Sequence, residues 1–187
     1  SDIGALRRAG SLMKNRKVFS AIYTSMAISS VGDILIVFLP LFGKEKGFSS
    51  FSIGVIIAIR AGASMLSRLS LGALSNRYST QKILIYSNVV SVVMCALMGF
   101  APTPLLLGLI VLCAGFTLGV GQPLTMSLVS LATQPEDRAL AVSARLTGNR
   151  FGQFILPAGA GILASAAGSG GVFVALALLL LTTFAAY

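Results

Sequence analysis

Residues 18–42 read VFSAIYTSMAISSVGDILIVFLPLF. The run is apolar or small and polar except for one carboxylate, Asp33, and it exceeds the ~20 residues that a helix needs to cross a ~30 Å hydrocarbon layer. Five further runs of the same character follow, at 51–71, 83–101, 104–127, 139–164 and 171–187. Composition agrees with them. Of the 187 residues 56% are hydrophobic and 10% charged, against about 25% charged in an ordinary soluble domain, and the mean hydropathy is +0.91. An unclosed sheet would leave backbone groups unpaired in lipid, so the runs are expected as helices. The sequence thus predicts an all-α integral membrane protein: a basic lead segment, residues 1–17, followed by six transmembrane helices within residues 18–187.

The net charge of +9 raises the question of a polyanionic partner, and the positions of the charges answer it. Arg7, Arg8, Lys14, Arg16 and Lys17 precede the first run, Arg77 and Lys82 lie between the second and third, and Arg138 lies between the fourth and fifth. All of these fall on one side of a six-span chain. The other side carries Lys44 and Lys46, offset by Glu45, and two uncharged turns around residues 102–104 and 169–171. The positive-inside rule puts both termini in the cytoplasm, in an inner or plasma membrane, and accounts for most of the excess charge without nucleic acid.

Absences narrow the chemistry. With no His there is no Ser-His or Cys-His nucleophile pair and no imidazole ligand for a metal, so neither an enzyme nor a cofactor or metal site is expected. Cys95 and Cys113 sit inside the third and fourth runs, where they read as small packing residues. The lead segment is either an interfacial helix with Leu6, Leu12 and Met13 toward lipid or a basic linker. The first apolar run is too long for a signal peptide's h-region. The chain opens at Ser1 without Met and ends within an apolar run, and both ends read as those of a piece of something longer.

Between the second and third runs stands LGALSNRYSTQKIL, residues 71–84. Gly72 there is expected to let two helices approach before the turn. Gly72, Asn76, Arg77 and Lys82 match in kind and order the loop signature of the major facilitator superfamily, which the chain resembles at this point. That signature is Gly, three residues, Asp, Arg, any, Gly, any, then basic residues. Asn76 replaces the Asp, Ser79 the second Gly, and Thr80 and Gln81 stand where basic residues are common. Residues 113–149, CAGFTLGVGQPLTMSLVSLATQPEDRALAVSARLTGN, look like the family's fourth and fifth helices of one half. Gly115 and Gly119, four apart, suit close helix packing, and Pro123 can bend the helix. Gly148, Gly152, Pro157, Gly159 and Gly161 are faintly similar to the antiporter motif, with Leu156 where a Gly is expected. The resemblance implies one half bundle of three plus three helices, the C-terminal one, with Gly72, Asn76, Arg77 and Lys82 as its conformational-switch loop. It also implies a second half, supplied by a missing N-terminal part, a separate chain or another copy, against which this one rocks.

Depth then places the carboxylate. Asp33 is nine residues before Phe42 and Arg60 nine after Phe51; at ~1.5 Å per residue both lie ~14 Å from the outer end. They are expected to pair, since an unpaired charge at the bilayer centre costs about 2.5–3.5 kcal/mol. Ser29 and Ser30 share the helical face of Asp33, and Ser64 and Ser67 that of Arg60. Asn149, Arg150 and Gln153 of the fifth run extend the candidate set for a substrate and proton pathway lining one wet cavity, whereas Arg68 and Arg145 read as residues that snorkel to the headgroups or support the loop motif. The function expected is proton-coupled secondary transport of a small organic solute by alternating access, with Asp33 titrating. The alternative is a non-transporting structural or assembly subunit. A fixed Asp33–Arg60 pair that only selects a helix arrangement is the corresponding reading of the site.

Overall fold

The computed structural model describes residues 10–186, so Leu6, Arg7, Arg8 and most of the lead segment lie outside the described residues. After a short helical stretch at residues 10–14 the chain forms α1 (Arg16–Glu45), α2 (Ser50–Arg77), α3 (Thr80–Met98), α4 (Pro104–Leu131), a 3₁₀ turn (Pro135–Asp137) and α5 (Arg138–Ala186). All five helices are long and apolar enough to cross a membrane.

The helix ends follow from local chemistry. The Asn15, Ser49 and Thr103 side chains accept from the first-turn N–H groups of Lys17, Ser52 and Leu106, and Pro104 opens α4 where its missing N–H costs nothing. At the end of α1, Phe48 N–H donates to the Gly43 carbonyl and Gly47 N–H to that of Lys44. Gly47 sits at φ +74. This pair of bonds around a left-handed residue closes the helix and turns the chain into α2.

The first four expected runs each match one helix, with shifted ends, and the fifth and sixth both fall within α5. α3 stops at Met98, short of the expected residue 101, and α2 runs on to Arg77, past the expected residue 71. The largest departure is α5, whose 49 residues would measure ~74 Å if straight. It is not straight. Gly168 breaks it at φ 71, ψ 173. Before the break, a side chain on Gly148 would meet Ile22 and one on Gly152 would meet Met26 and Ser30, so residues 138–167 run along α1 in its own direction. Beyond it, Ser169 donates to Glu45 and Tyr23 shares a hydrogen bond of 2.7 Å with Thr182, so residues 169–186 run back against α1. Phe173 packs edge-on to Phe42 with ring centroids 5.2 Å apart, fastening the returning arm.

α1 and α4 form the centre. Their most apolar windows are 61% and 56% buried, against 17% for α2. Buried polar side chains (Ser25, Ser29, Ser30, Asn88, Thr125, Asn149) lie between helices, while Phe51, Phe100, Leu105 and Phe154 lie more than two-thirds exposed. A surface this apolar around a partly polar interior is what lipid demands. Cys95 is buried, Cys113 exposed, and both are free thiols.

Candidate functional site

Close packing of α2 on α4 creates the site. A methyl added to Gly115 would lie 2.9 Å from the Arg60 carbonyl oxygen, and one on Gly119 would collide with the Ser67 hydroxyl and stand 2.9 Å from Ser64 Cα. The small residues expected to bring helices together at these two positions therefore do so. Where α1 crosses the pair, a cavity of about 220 Å³ remains, lined by Ser29, Gly32 and Asp33 of α1, Arg60, Ser64 and Arg68 of α2, and Gln122 of α4.

Asp33 and Arg60 meet across this cavity, within electrostatic reach. They do not form the expected direct pair. Arg60 instead donates through Nη2 to the Gly32 carbonyl oxygen at 2.5 Å, and its Nε has no partner among the described residues. A side chain on Gly32 would stand in ordinary contact, 3.4 Å, with Arg60 Nη2, so the guanidinium lies directly against the α1 backbone beside the carboxylate. Arg68, expected at the headgroups, also lines the cavity.

Arg145 corrects the snorkelling reading more fully. It is 5% exposed. Its Nη2 donates to the Gln122 carbonyl (3.0 Å), the Gln122 side-chain oxygen (3.4 Å) and the Thr125 hydroxyl (3.2 Å) of α4. Gln122 in turn donates to Ser29 at 2.7 Å. A chain of hydrogen bonds thus runs from α5 through α4 to α1, ending on a side chain that lines the cavity. The sequence analysis missed Gln122; its signal was a carboxamide one helical turn after Gly119, on a helix otherwise nearly free of large polar groups.

The fifth-run candidates separate. Asn149 is buried and accepts from Ser25 at 3.0 Å, at the α1–α5 contact and outside the cavity lining. Arg150 is exposed and donates to Gln153 at 3.0 Å, the two pairing with each other on another face. Because α5 seats on α1 through Gly148 and Gly152, position 150, about 200° of helix turn from 152, points away from the shared cavity. The expected single cavity lined by all five residues is therefore replaced by three separate polar places.

The switch-loop residues are displaced in kind. Gly72, Asn76 and Arg77 belong to the last turns of α2 and Lys82 to the first turn of α3; only Tyr78 and Ser79 connect the helices. All four are exposed. A side chain on Gly72 would meet nothing within 4 Å, so this glycine does not serve the close approach expected of it. Among the described residues no cluster of His, Cys, Asp and Glu suited to a metal occurs.

Apolar-skinned helices around a polar cleft define a polytopic α-helical membrane protein. Residues 13–187 match the family model of the Major Facilitator Superfamily, and the chain belongs to that family of membrane transporters. Among curated proteins it is similar to the multidrug resistance protein MdtG of Klebsiella pneumoniae (strain 342), 29% identical over 64% of this chain and 30% of the relative. It is also similar to MdtG of Escherichia fergusonii, 31% identical over the same shares, and to MdtG of Escherichia coli (strain SMS-3-5 / SECEC), 26% identical over 66% of this chain and 32% of the relative. The match thus spans about a third of each relative's length. No solved structure matches.

Proposed function

We propose that the chain is one six-span half of a secondary transporter, the C-terminal half, which moves a small organic solute across an inner or plasma membrane by alternating access with proton coupling at Asp33. Counting the two oppositely running arms of α5 as separate spans gives six, and the basic residues then put both ends on the cytoplasmic side. A second half docks on the little-buried face of α2 and the outward face of residues 138–167, where Arg150 and Gln153 are available to it. The names of the relatives make drug-like amphiphiles the solutes to try first.

The observation that carries this reading is the cavity, which is lined by a single carboxylate, Asp33, and two guanidinium groups, Arg60 and Arg68. Protonating Asp33 removes the only negative charge lining the cavity and frees its cations, Arg60 and Arg68, for an anionic group. Deprotonation restores the competition. Solute and proton are thus bound together and released together at one place, and the excess of Arg favours solutes that carry an anionic group.

The test is uptake of anionic and cationic fluorescent amphiphiles into vesicles holding the intact transporter, driven by a pH gradient. Accumulation lost in Asp33→Asn and kept in Asp137→Asn, in the 3₁₀ turn, supports the assignment. Gradient-driven uptake that persists in Asp33→Asn overturns the proton role. Absence of uptake for every probe, together with co-purification in a larger complex, selects the assembly-subunit reading.

A further inference from the structure

A second and larger concavity opens at the basic end of the bundle, about 810 Å³ between the start of α1, the α2–α3 turn and the end of α4. Its polar wall carries Arg16 and Lys17, the first residues of α1, and Ser79, Thr80 and Gln81, where α3 begins. None of its lining residues is acidic. Ser79 occupies the N-cap of α3 without bonding its side chain to the helix, so the first-turn N–H groups of a 19-residue helix face outward with the positive end of its dipole.

An independent feature points the same way. Ser20 lines the cleft, is 3% exposed, and its hydroxyl has no partner among the described residues. A buried hydroxyl without a partner is a loss that an acceptor would restore. Two cations, open helix amides and an unpaired hydroxyl on one cleft are the donor set of a phosphate oxyanion.

The rest of the lining identifies the carrier of that phosphate. Ile85, Leu128 and Leu131 form an apolar wall, and Leu131 is 74% exposed. Arg16, Thr80 and Leu131 are terminal residues of their helices, so the cleft lies at headgroup depth, with the apolar wall leading toward the hydrocarbon. A soluble phosphate has no use for that wall. We propose that the cleft is a binding site for an anionic phospholipid of the basic-side leaflet, its phosphate held by Arg16, Lys17, Ser20 and the α3 amides and its upper acyl chain by Ile85, Leu128 and Leu131.

The experiment is native mass spectrometry of the intact protein in detergent, titrated with phosphatidylglycerol, phosphatidylcholine or inorganic phosphate. One phosphatidylglycerol should be retained at about a tenth of the phosphatidylcholine concentration needed, and the Arg16→Gln/Lys17→Gln variant should lose that preference. Ser79→Asp puts a capping carboxylate where the phosphate would sit; it should raise the melting temperature and abolish the preference together, which separates lost binding from lost folding. Lys44→Gln/Lys46→Gln, at the opposite end, should change nothing. Equal retention of the two lipids, displacement of phosphatidylglycerol by inorganic phosphate at equimolar concentration, or undiminished preference in Ser79→Asp would each overturn the site.

Discussion

An alanine at position 119 would drive its methyl into the Ser67 hydroxyl and to 2.9 Å from Ser64 Cα, a backbone atom that cannot rotate away. Gly119→Ala should therefore push α4 off α2 and destabilise the bundle by about 1–3 kcal/mol, read as a lower unfolding midpoint in detergent. The same change at Gly72 meets open space within a helix. Gly72→Ala should leave stability unchanged or raise it by up to about 1 kcal/mol, because alanine loses less entropy on entering a helix. The sequence shows both residues as glycines in helical runs and cannot separate them, since the difference lies in what stands opposite. Arg145 belongs to the same scale. With Gln122→Leu, its guanidinium loses a side-chain acceptor in a buried place, and the loss should be about 1.5–3 kcal/mol in the same assay. Read along its own helix, Arg145 was a residue within two turns of a cytoplasmic end; only the arrival of α4 alongside made it an internal donor.

Among the elements, the helices were legible because length, hydropathy and caps are local properties. The apolar runs alone set the starts of α2 and α4 near residues 51 and 104; Ser49, Thr103 and Gly47, which the sequence analysis did not single out, are the local signals that fix the ends. The break in α5 was legible as a gap between two apolar runs, although its chemistry was not. Gly168 holds a combination of φ and ψ that only glycine adopts without strain, and the Glu45 carboxylate receives both the N–H and the hydroxyl of Ser169 immediately after it. Gly168→Ala should cost about 1–3 kcal/mol and weaken the return of residues 169–186 along α1. A cysteine pair replacing Tyr23 and Thr182, whose side chains share a hydrogen bond, reports it when joined by a bifunctional thiol reagent long enough to span the space the tyrosine ring leaves: cross-linking should be efficient with Gly168 in place and fall when the Gly168→Ala change is added. Unchanged cross-linking and an unchanged melting point would show that the turn does not depend on this glycine.

For the molecule as a whole, the proposed orientation predicts which ends a membrane-impermeant thiol reagent reaches. With Cys113 replaced by Ala, a cysteine at position 46 should be labelled from outside intact cells, and one at position 81 only after the membrane is opened; the reverse pattern would invert the topology. The sequence by itself determined that this chain lives in a bilayer, roughly where it crosses, which family it resembles, and that Asp33 and Arg60 lie at similar depth. Those follow from run length, charge placement and rise per residue, which need no knowledge of neighbours. Tertiary structure alone decided that Asp33 and Arg60 share a cavity while Arg60 bonds to Gly32, that Arg145 and Gln122 link α5 to α1, and that Arg150 and Gln153 stand apart. The physical reason is that lipid tails and a protein core are equally apolar, so hydrophobic pattern does not say which face of a membrane helix turns inward. The few groups that do say so are small residues and buried polar side chains, and their meaning is fixed only by the atoms that come to lie across from them.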